Sequence, residues 1–166
     1  MRKTFHEKLK ELENDMLKMG SMVEEAIHKS IEALQNKDLD LAEEVIEKDD
    51  NIDDFEIKLE EDSTKLIALQ QPVAKDLRKI IVISKLATDL ERIGDHASNI
   101  ANMTKQIGDE PLIKPLIDIP RMTDIVTRRL RDSLEAFVNL DVEKAKEVAR
   151  EDEEIDILDE QILREL

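Results

Sequence analysis

The sequence contains no cysteine, tryptophan or tyrosine, and only three phenylalanines, three glycines and four prolines in 166 residues. Without cysteine there is no disulfide framework, no thiolate metal site and no cysteine nucleophile, and a reducing compartment is permitted. Strands favour aromatic and β-branched residues, and turns favour glycine and proline, so this composition argues against a β protein. The chain is therefore expected to be all-α.

Long hydrophobic runs are also absent. The longest aliphatic run, residues 80–83, is far shorter than the roughly 20 residues that span a bilayer. The N-terminal segment mixes both charge signs and has no apolar core, unlike a secretory signal. We therefore expect no direct membrane insertion.

Basic residues are few, 25 against 41 acidic residues, which gives a formal net charge of −16. This charge argues against a nucleic-acid ligand, because its phosphates would be repelled. The acidity is concentrated in two segments: residues 38–62 hold 13 acidic and 2 basic residues, and residues 141–165 hold 11 and 4. The rest of the chain is close to neutral.

Apolar residues recur at helical spacing along the chain and predict five helices. The first carries the stripe Phe5, Leu9, Leu12, Met16, Met19, Val23, Ile27, Ile31 and Leu34. The second begins after an N-cap at Asp38, ends near Gln70, and has a seven-residue repeat of Val45, Ile52, Leu59 and Leu66. Pro72 is expected in the first turn of the third helix, whose apolar face includes Val73, Leu77, Ile80, Ile83, Leu86, Leu90, Ile93, Ala97 and Ile100. The fourth helix is expected from about 121 to 139, and the fifth from 141 to the end.

The chain contains an internal repeat. A shift of 103 residues superposes residues 31–59 on residues 134–162 with 10 identities in 29 positions. Helices one and two therefore recur as helices four and five, whereas helix three has no counterpart. We expect tandem three-helix bundles, with a first repeat over 1–109, a proline-rich linker over 110–120, and a second repeat over 121–166 that is truncated after its second helix.

Acidic residues occupy positions on helices two and three where apolar residues would be expected. Asp49 lies in the seam of helix two with Asp53 one turn later, and Glu91 and Asp95 have the same spacing on helix three. Counted from the turn near residue 71, the four carboxylates are level in an antiparallel hairpin. Such oxygen ligands suit Mg²⁺, Mn²⁺, Ca²⁺ or iron, and zinc less well because cysteine is absent and histidine is scarce. Gly94, between the acidic positions of helix three, suggests that something needs space there, since glycine costs roughly 1 kcal/mol in a helix interior.

Two observations leave other interpretations open, and a third supports a functional role. An acidic helix face is commonly just solvated, and Glu91 could instead pair with Arg92 or Arg78. The repeat places Asp152 and Asp156 at the positions of Asp49 and Asp53, which supports a functional role for the pattern. A basic group on helix three, Lys75, Arg78, Lys79 and Lys85, could contact a partner or be solvated.

The segment 71–101 strongly resembles the helix signature of the PhoU family, regulators of phosphate transport and signalling. The resemblance rests on Gln71-Pro72-Val73-Ala74, on Asp89-Leu90-Glu91-Arg92-Ile93-Gly94-Asp95, and on Asn99-Ile100-Ala101. Residues 115–122 and 130–132 also look like the region between the repeats of the family. The resemblance covers essentially the whole chain.

The resemblance implies a PhoU-like, spectrin-repeat-like architecture of two three-helix bundles with E(D)xxxD motifs that bind metal ions. The motif positions are Asp49, Asp53, Glu91 and Asp95 in the first repeat, and Asp152 and Asp156 in the second. The implied ions are manganese, magnesium or iron, with zinc the least natural. The second copy of the ERIGD helix is missing from the sequence, so the second site lacks that half of its ligands.

The resemblance also implies a role and partners. It implies a negative regulator of the phosphate-starvation response that bridges the ATPase subunit of the phosphate ABC transporter and a sensor histidine kinase. The protein would be cytoplasmic, peripheral to the membrane through its partners, and a homodimer. No catalysis is implied, in agreement with the lack of a P-loop or a nucleophile with a paired base.

Two rival functions remain. Glu25 and His28 have the E-x-x-H spacing used in ferritin-like di-iron bundles, although such a site needs two motifs and the sequence has one. A purely structural helical adaptor would need its carboxylates only for solubility. Helices four and five are also expected to leave an apolar face uncovered, which favours dimerisation, partner docking or fraying of residues beyond about 120. Its residues are Leu130, Leu134, Phe137, Val148, Ile155 and Ile162.

Overall fold

The computed structural model describes residues 2–112, 114–150 and 152–165, and the side chains of 4–112, 114–150 and 155–164. Within these ranges all regular secondary structure is helical, which confirms the all-α prediction. The helices are α1 Arg2–Asn36, α2 Leu39–Gln70, α3 Ala74–Ile107, α4 Asp118–Asn139, α5 Val142–Arg150 and α6 Asp152–Glu165. None of these helices is both long and apolar enough to cross a bilayer.

The helices α1, α2 and α3 form a three-helix bundle whose core contains the predicted apolar stripes. Met16, Met19 and Val23 of α1 are completely buried, and the seven-residue seam of α2 is buried along its length. On α3 the buried face includes Ile80, Ile83 and Leu90. Burial of these side chains supplies the main stabilisation of the bundle.

The chain reverses between α1 and α2 in the same way as between α4 and α5. Lys37 and Leu140, which are 103 positions apart, both have positive φ values, of 54° and 56°. The next residues, Asp38 and Asp141, each accept a hydrogen bond from the backbone N–H three residues later, at 2.9 Å. The predicted N-cap at Asp38 is confirmed, and the sequence repeat is therefore also a repeat of local structure.

The start of α3 differs from the prediction. Gln71 adopts a left-handed conformation that caps α2, Val73 is extended and acts as the N-cap, and α3 begins at Ala74. Pro72 therefore lies before the helix, and Val73 is 75% exposed instead of belonging to the apolar face. The left-handed Gln71 and the extended Val73 place residues 71–73 in the reversal between α2 and α3, so Pro72 lies in that reversal and not in the first turn of α3.

The helix α4 packs on α1. Gly20 of α1 lies directly under Leu134, and a Cβ atom at this glycine would be only 2.3 Å from Leu134 Cδ1. Arg131 of α4 also pairs with Glu24 of α1. The expectation of an uncovered apolar face is wrong for Leu134, which is buried, and Leu130 and Phe137 pack half-buried against the same core because α1 itself covers α4.

The predicted fifth helix corresponds to two helices, α5 and α6, with Glu151 between them outside the described residues. Both pack on α4. Leu158 of α6 is buried, whereas Ile157 and Leu163 are about two-thirds exposed, at 65% and 66%. The second repeat is thus centred on α4, which joins it to the first bundle through α1.

Candidate metal centre

Three carboxylates from α2 and α3 meet in the groove between these helices. Asp49 and Asp53 lie one turn apart on α2, and Asp95 faces them from α3. One oxygen atom of each lies within 4.8 Å of an oxygen atom of the other two. Among the residues that the structure describes, this is the one group of three potential metal ligands.

The three carboxylates differ in burial. Asp49 and Asp53 are half-buried, whereas Asp95 is exposed at the mouth of the groove. The Oδ1 atom of Asp53 is buried and has no hydrogen-bond partner. A buried anionic oxygen without a donor is costly, since it loses hydration and gains nothing in return. Within the described part of the chain, no basic side chain forms an ion pair with any of the three.

The electrostatics of the groove disfavour ionisation of the carboxylates. Burial raises the pKa of Asp49, and Asp95 adds to this, although a hydrogen bond from Ser98 acts in the opposite direction. Burial also raises the pKa of Asp53, with further contributions from the charges of Asp49 and Asp95. Both shifts have the sign expected of desolvated carboxylates that repel one another.

Glu91 lies beside this group but outside the trio whose oxygen atoms approach within 4.8 Å. Burial raises the pKa of Glu91, and the charges of Asp95, Glu56, Asp53 and Asp49 raise it further. No ion pair joins Glu91 to Arg78 or Arg92 in the described structure. Glu91 therefore shares the electrostatic field of the group.

The small residue Gly94 allows α2 and α3 to approach closely beneath the carboxylates. A Cβ atom at Gly94 would lie 3.1 Å from Ile52 Cδ1 and 3.7 Å from Asp49 Oδ1. The space that the absence of a side chain at Gly94 leaves free is thus filled by the Ile52 side chain. This contact holds the two helices close enough for Asp49 and Asp95 to face each other.

Two residues in the groove did not figure among the predicted ligands. Ser98 donates to Asp49, and Glu56 contributes negative charge to Asp53 and Glu91. Both stand on the polar faces that the sequence marks on α2 and α3. Their individual roles depend on side-chain direction, which spacing alone does not determine.

The second predicted pair is not assembled in the same way. Asp156 is exposed on α6, and the side chain of Asp152 lies outside the described residues. The described structure contains no second repeat of α3 to face them. Metal binding by Asp152 and Asp156 therefore stays a prediction.

The di-iron motif does not form a metal site in the described structure. Glu25 is exposed and pairs with Lys29 at 2.7 Å, and His28 is exposed on α1. Neither residue belongs to the carboxylate group between α2 and α3. The geometry therefore gives no support to the ferritin-like function.

The donor set between α2 and α3 suits a hard divalent cation or iron. All its atoms are carboxylate oxygens, it has an orphaned buried oxygen at Asp53, and no basic side chain among the described residues pairs with it. A cation would satisfy that oxygen and offset the repulsion. The residues present therefore fit a metal ion.

Comparison with known sequences connects this geometry to a family. The profile of the PhoU domain matches residues 16–104 and 119–166. A phosphate-specific transport system accessory protein PhoU homolog from Clostridium acetobutylicum is 43% identical over 99% of this chain and 76% of its own length. The phosphate-specific transport system accessory protein PhoU of Escherichia coli is 37% identical over 98% of this chain and 67% of its own length.

Solved structures agree in fold. The crystal structure of PhoU from Pseudomonas aeruginosa superposes with a TM-score of 0.90 at 34% identity, covering 97% of this chain and 78% of that one. The crystal structure of the phosphate transport system regulatory protein PhoU from Streptococcus pneumoniae gives a TM-score of 0.85 at 35% identity, covering 93% and 72%. The chain spans about three quarters of these structures.

Proposed function

Because this chain belongs to the PhoU family, we propose that it is an accessory and regulatory protein of a phosphate-specific transport system. Its relatives are named as accessory or regulatory proteins of phosphate transport, which supports this role. The family is one of regulatory proteins and not of enzymes, and the fold consists of long packed helices, which suits a protein that acts by contact.

The finer role is negative regulation of the phosphate-starvation response. The protein would contact the ATPase subunit of the phosphate ABC transporter and a sensor histidine kinase, on the cytoplasmic side of the membrane and as a homodimer. The family resemblance supports this role, and the carboxylates between α2 and α3 offer a place where a bound cation would act on the bundle.

The residues that would hold the cation are Asp49, Asp53 and Asp95, with Glu91 at the edge of the site. The orphaned Oδ1 of Asp53 is the observation that carries this assignment. A bound ion would supply positive charge where no described basic side chain does, and manganese, magnesium and iron are the expected ions. Asp152 and Asp156 form the proposed ligand pair of the second repeat.

A gene deletion tests the regulatory role. In the host organism, loss of the gene is expected to leave phosphate-starvation genes expressed in phosphate-rich medium. The wild-type gene should restore repression, whereas Glu91→Gln with Asp95→Asn should not. Asp89→Asn, an exposed position on the same helix, is the matched control and should restore it. Normal repression in the deletion strain would rule the role out.

Metal analysis tests the site separately. The purified protein is expected to bind Mn²⁺ or iron in calorimetric titration, and the Glu91→Gln, Asp95→Asn double variant is expected to lose this binding. Equal binding by the double variant and by Asp89→Asn would refute the site and favour the purely structural adaptor. Oxygen consumption on addition of Fe²⁺ would instead favour the ferritin-like function.

A further inference from the structure

A second feature of the molecule lies far from the carboxylates, at the end of the bundle where α3 begins. A cleft of about 630 Å³ opens between the first turns of α1, the start of α3 and the end of α4. Its polar lining includes four cations, Lys10, Lys75, Arg78 and Lys79, against two carboxylates, Glu13 and Asp76. Leu9, Val82, Phe137 and Leu140 form its apolar wall.

Glu13 contacts two of the cations. Its side chain is only 8% exposed, and it pairs with Lys79 Nζ at 2.5 Å and with Lys10 Nζ at 3.5 Å. The carboxylate is thus engaged in the cleft and holds the Lys79 ammonium group, whose side chain is 19% exposed, more closely than that of Lys10, which is 60% exposed. A ligand would meet one ammonium group that is already ordered, which lowers the entropic cost of binding.

The other two cations are unpaired. Lys75 and Arg78 are exposed and make no ion pair or hydrogen bond among the described residues. Lys29, Lys48 and Lys65 each pair with a carboxylate, whereas Lys75 and Arg78 line the cleft without one in the described structure. Lys75 also stands three and four residues before Arg78 and Lys79, and like charges at this helical spacing repel.

A bound anion would pair with Lys75 and Arg78 and would offset the repulsion among the cations of this helix turn. Arginine presents a planar fork that matches phosphate oxygens, and lysine adds a point charge. The apolar wall, with Val82 at 37% and Leu140 at 70% exposure, would be left uncovered by a bare inorganic ion. The volume lies within the range of small-molecule sites, roughly 300–1,000 Å³.

We propose that this cleft binds a soluble organic phosphate, with Lys75 and Arg78 contacting the phosphate groups and Val82, Phe137 and Leu140 contacting the organic part. Lys10 and Lys79 add positive charge beside Glu13. The proposal goes beyond the regulatory role proposed above and does not depend on the metal centre, which lies between the middle parts of α2 and α3.

Calorimetric titration of the full chain tests the proposal, with ATP, pyrophosphate and adenosine as probes. The titrations are made at low ionic strength with a chelator, so that no metal ion bridges a phosphate to the carboxylate group. ATP is expected to bind, pyrophosphate to bind more weakly, and adenosine not to bind measurably. Added NaCl should weaken the binding because the cations are exposed.

Variants locate the site. Lys75→Ala with Arg78→Ala is expected to raise the Kd for ATP by about tenfold or more, as lost charge-assisted hydrogen bonds do. Lys85→Ala with Arg92→Ala removes the same charge from exposed positions of α3 outside the cleft, and should leave the Kd unchanged. Val82→Ala should weaken ATP binding and spare pyrophosphate. Circular dichroism verifies that the variants fold. The single variant Arg78→Gln, which changes the chain less, should also raise the Kd for ATP.

Each contrary result overturns the proposal. Absence of ATP binding would do so, and so would equal losses in the two double variants, because that would indicate general electrostatic attraction. Undiminished binding in Lys75→Ala with Arg78→Ala would place the site elsewhere. Equal affinity for ATP and pyrophosphate would exclude a role for the apolar wall.

Discussion

Asp53 carries a buried carboxylate oxygen that receives no hydrogen bond, and its neighbours Asp49 and Asp95 are also negative. Desolvation and repulsion both destabilise the charged form, and this is why the pKa of Asp53 is raised. A raised carboxyl pKa means that the folded protein is destabilised above that pKa and recovers stability as the group is protonated. In the absence of a cation, the site therefore reduces the stability of the fold.

Asp53→Asn is expected to stabilise the metal-free protein at neutral pH and to abolish stabilisation by Mn²⁺. Removing one of three mutually repelling charges should raise the free energy of unfolding by on the order of 1 kcal/mol, or the Tm by roughly 2–4 °C. Thermal unfolding with a chelator and with added Mn²⁺ measures both effects. Asp54→Asn, an exposed neighbour on α2, should change neither, and a lower Tm for metal-free Asp53→Asn would contradict the argument.

Ser63 offers a second test at single-residue scale. Its hydroxyl is buried in the seam of α2 without a hydrogen-bond partner, whereas the equally buried hydroxyl of Ser30 donates to the Ile27 carbonyl at 2.8 Å. Replacement by alanine adds the same helix propensity at both positions. Ser63→Ala should raise the free energy of unfolding by on the order of 1 kcal/mol relative to Ser30→Ala, in urea unfolding. Equal effects would show that Ser63 is satisfied in solution.

At the scale of helices, the sequence predicts most of what the structure shows, since apolar periodicity and burial have the same cause. The stripe of α1 is buried from Phe5 to Ile31, and the seven-residue seam of α2 is buried throughout. The repeat aligns Asp141 with Asp38, and the structure shows the same capping hydrogen bond at both, because capping depends on a few consecutive residues. The start of α3 is not predicted, because the length of a chain reversal depends on how two helices pack.

The carboxylate group is predicted only in part. Counting along a hairpin brings Asp49, Asp53 and Asp95 to the same level, and the structure places them together. Counting does not separate Glu91 from this trio, since the direction of a longer side chain is decided by its surroundings. Nor does the sequence show that α1 covers Leu134, because that contact joins segments far apart in the chain.

An ion-pair network links α1 to α2 and predicts a pH dependence. Lys29 of α1 pairs with Glu44 of α2 at 2.8 Å, and hydrogen bonds from Lys29 and Lys48 lower the pKa of Glu44 from 4.5 to about 2. Because the folded-state pKa is lowered, the contribution to stability is present above pH 4.5 and is lost as the pH falls towards 2. Unfolding in urea should therefore show that Glu44→Gln destabilises the protein at pH 6 and loses this effect progressively in acid.

The control for this network is Glu47→Gln, an exposed position on α2 that makes no ion pair in the described structure. Its effect on stability should be small and should not follow the same pH window. The Glu44 pair is partly exposed, so NaCl should shrink the difference between wild type and Glu44→Gln. A difference that persists unchanged below pH 3 would assign the effect to packing and not to charge.

At the scale of the whole molecule, the net charge of −16 has two components. Most of the acidity lies on α2 and on residues 141–165, and much of it faces solvent, where salt screens it. The second component is the carboxylate group in the groove between α2 and α3. Dissolved salt ions do not reach the buried Oδ1 atom of Asp53, so general salt screening leaves this oxygen without a partner. The two components should therefore respond to different cations at different concentrations.

Measuring the Tm as a function of NaCl and of Mn²⁺ concentration separates the surface charge from the carboxylate group in the groove. NaCl should raise the Tm gradually over tens to hundreds of millimolar, because screening acts on all exposed carboxylates. Mn²⁺ should act at far lower concentration and with saturation, because binding to the folded state alone stabilises by about 2.7 kcal/mol at a hundredfold excess over Kd, or roughly 5–10 °C in Tm. Asp53→Asn should keep the NaCl response and lose the saturable one, since the variant leaves nearly all surface charge in place. If Mn²⁺ raised the Tm of the wild type and of Asp53→Asn equally, the cation would be acting on the surface charge of the acidic helices. The carboxylates between α2 and α3 would then destabilise the fold without binding a metal ion.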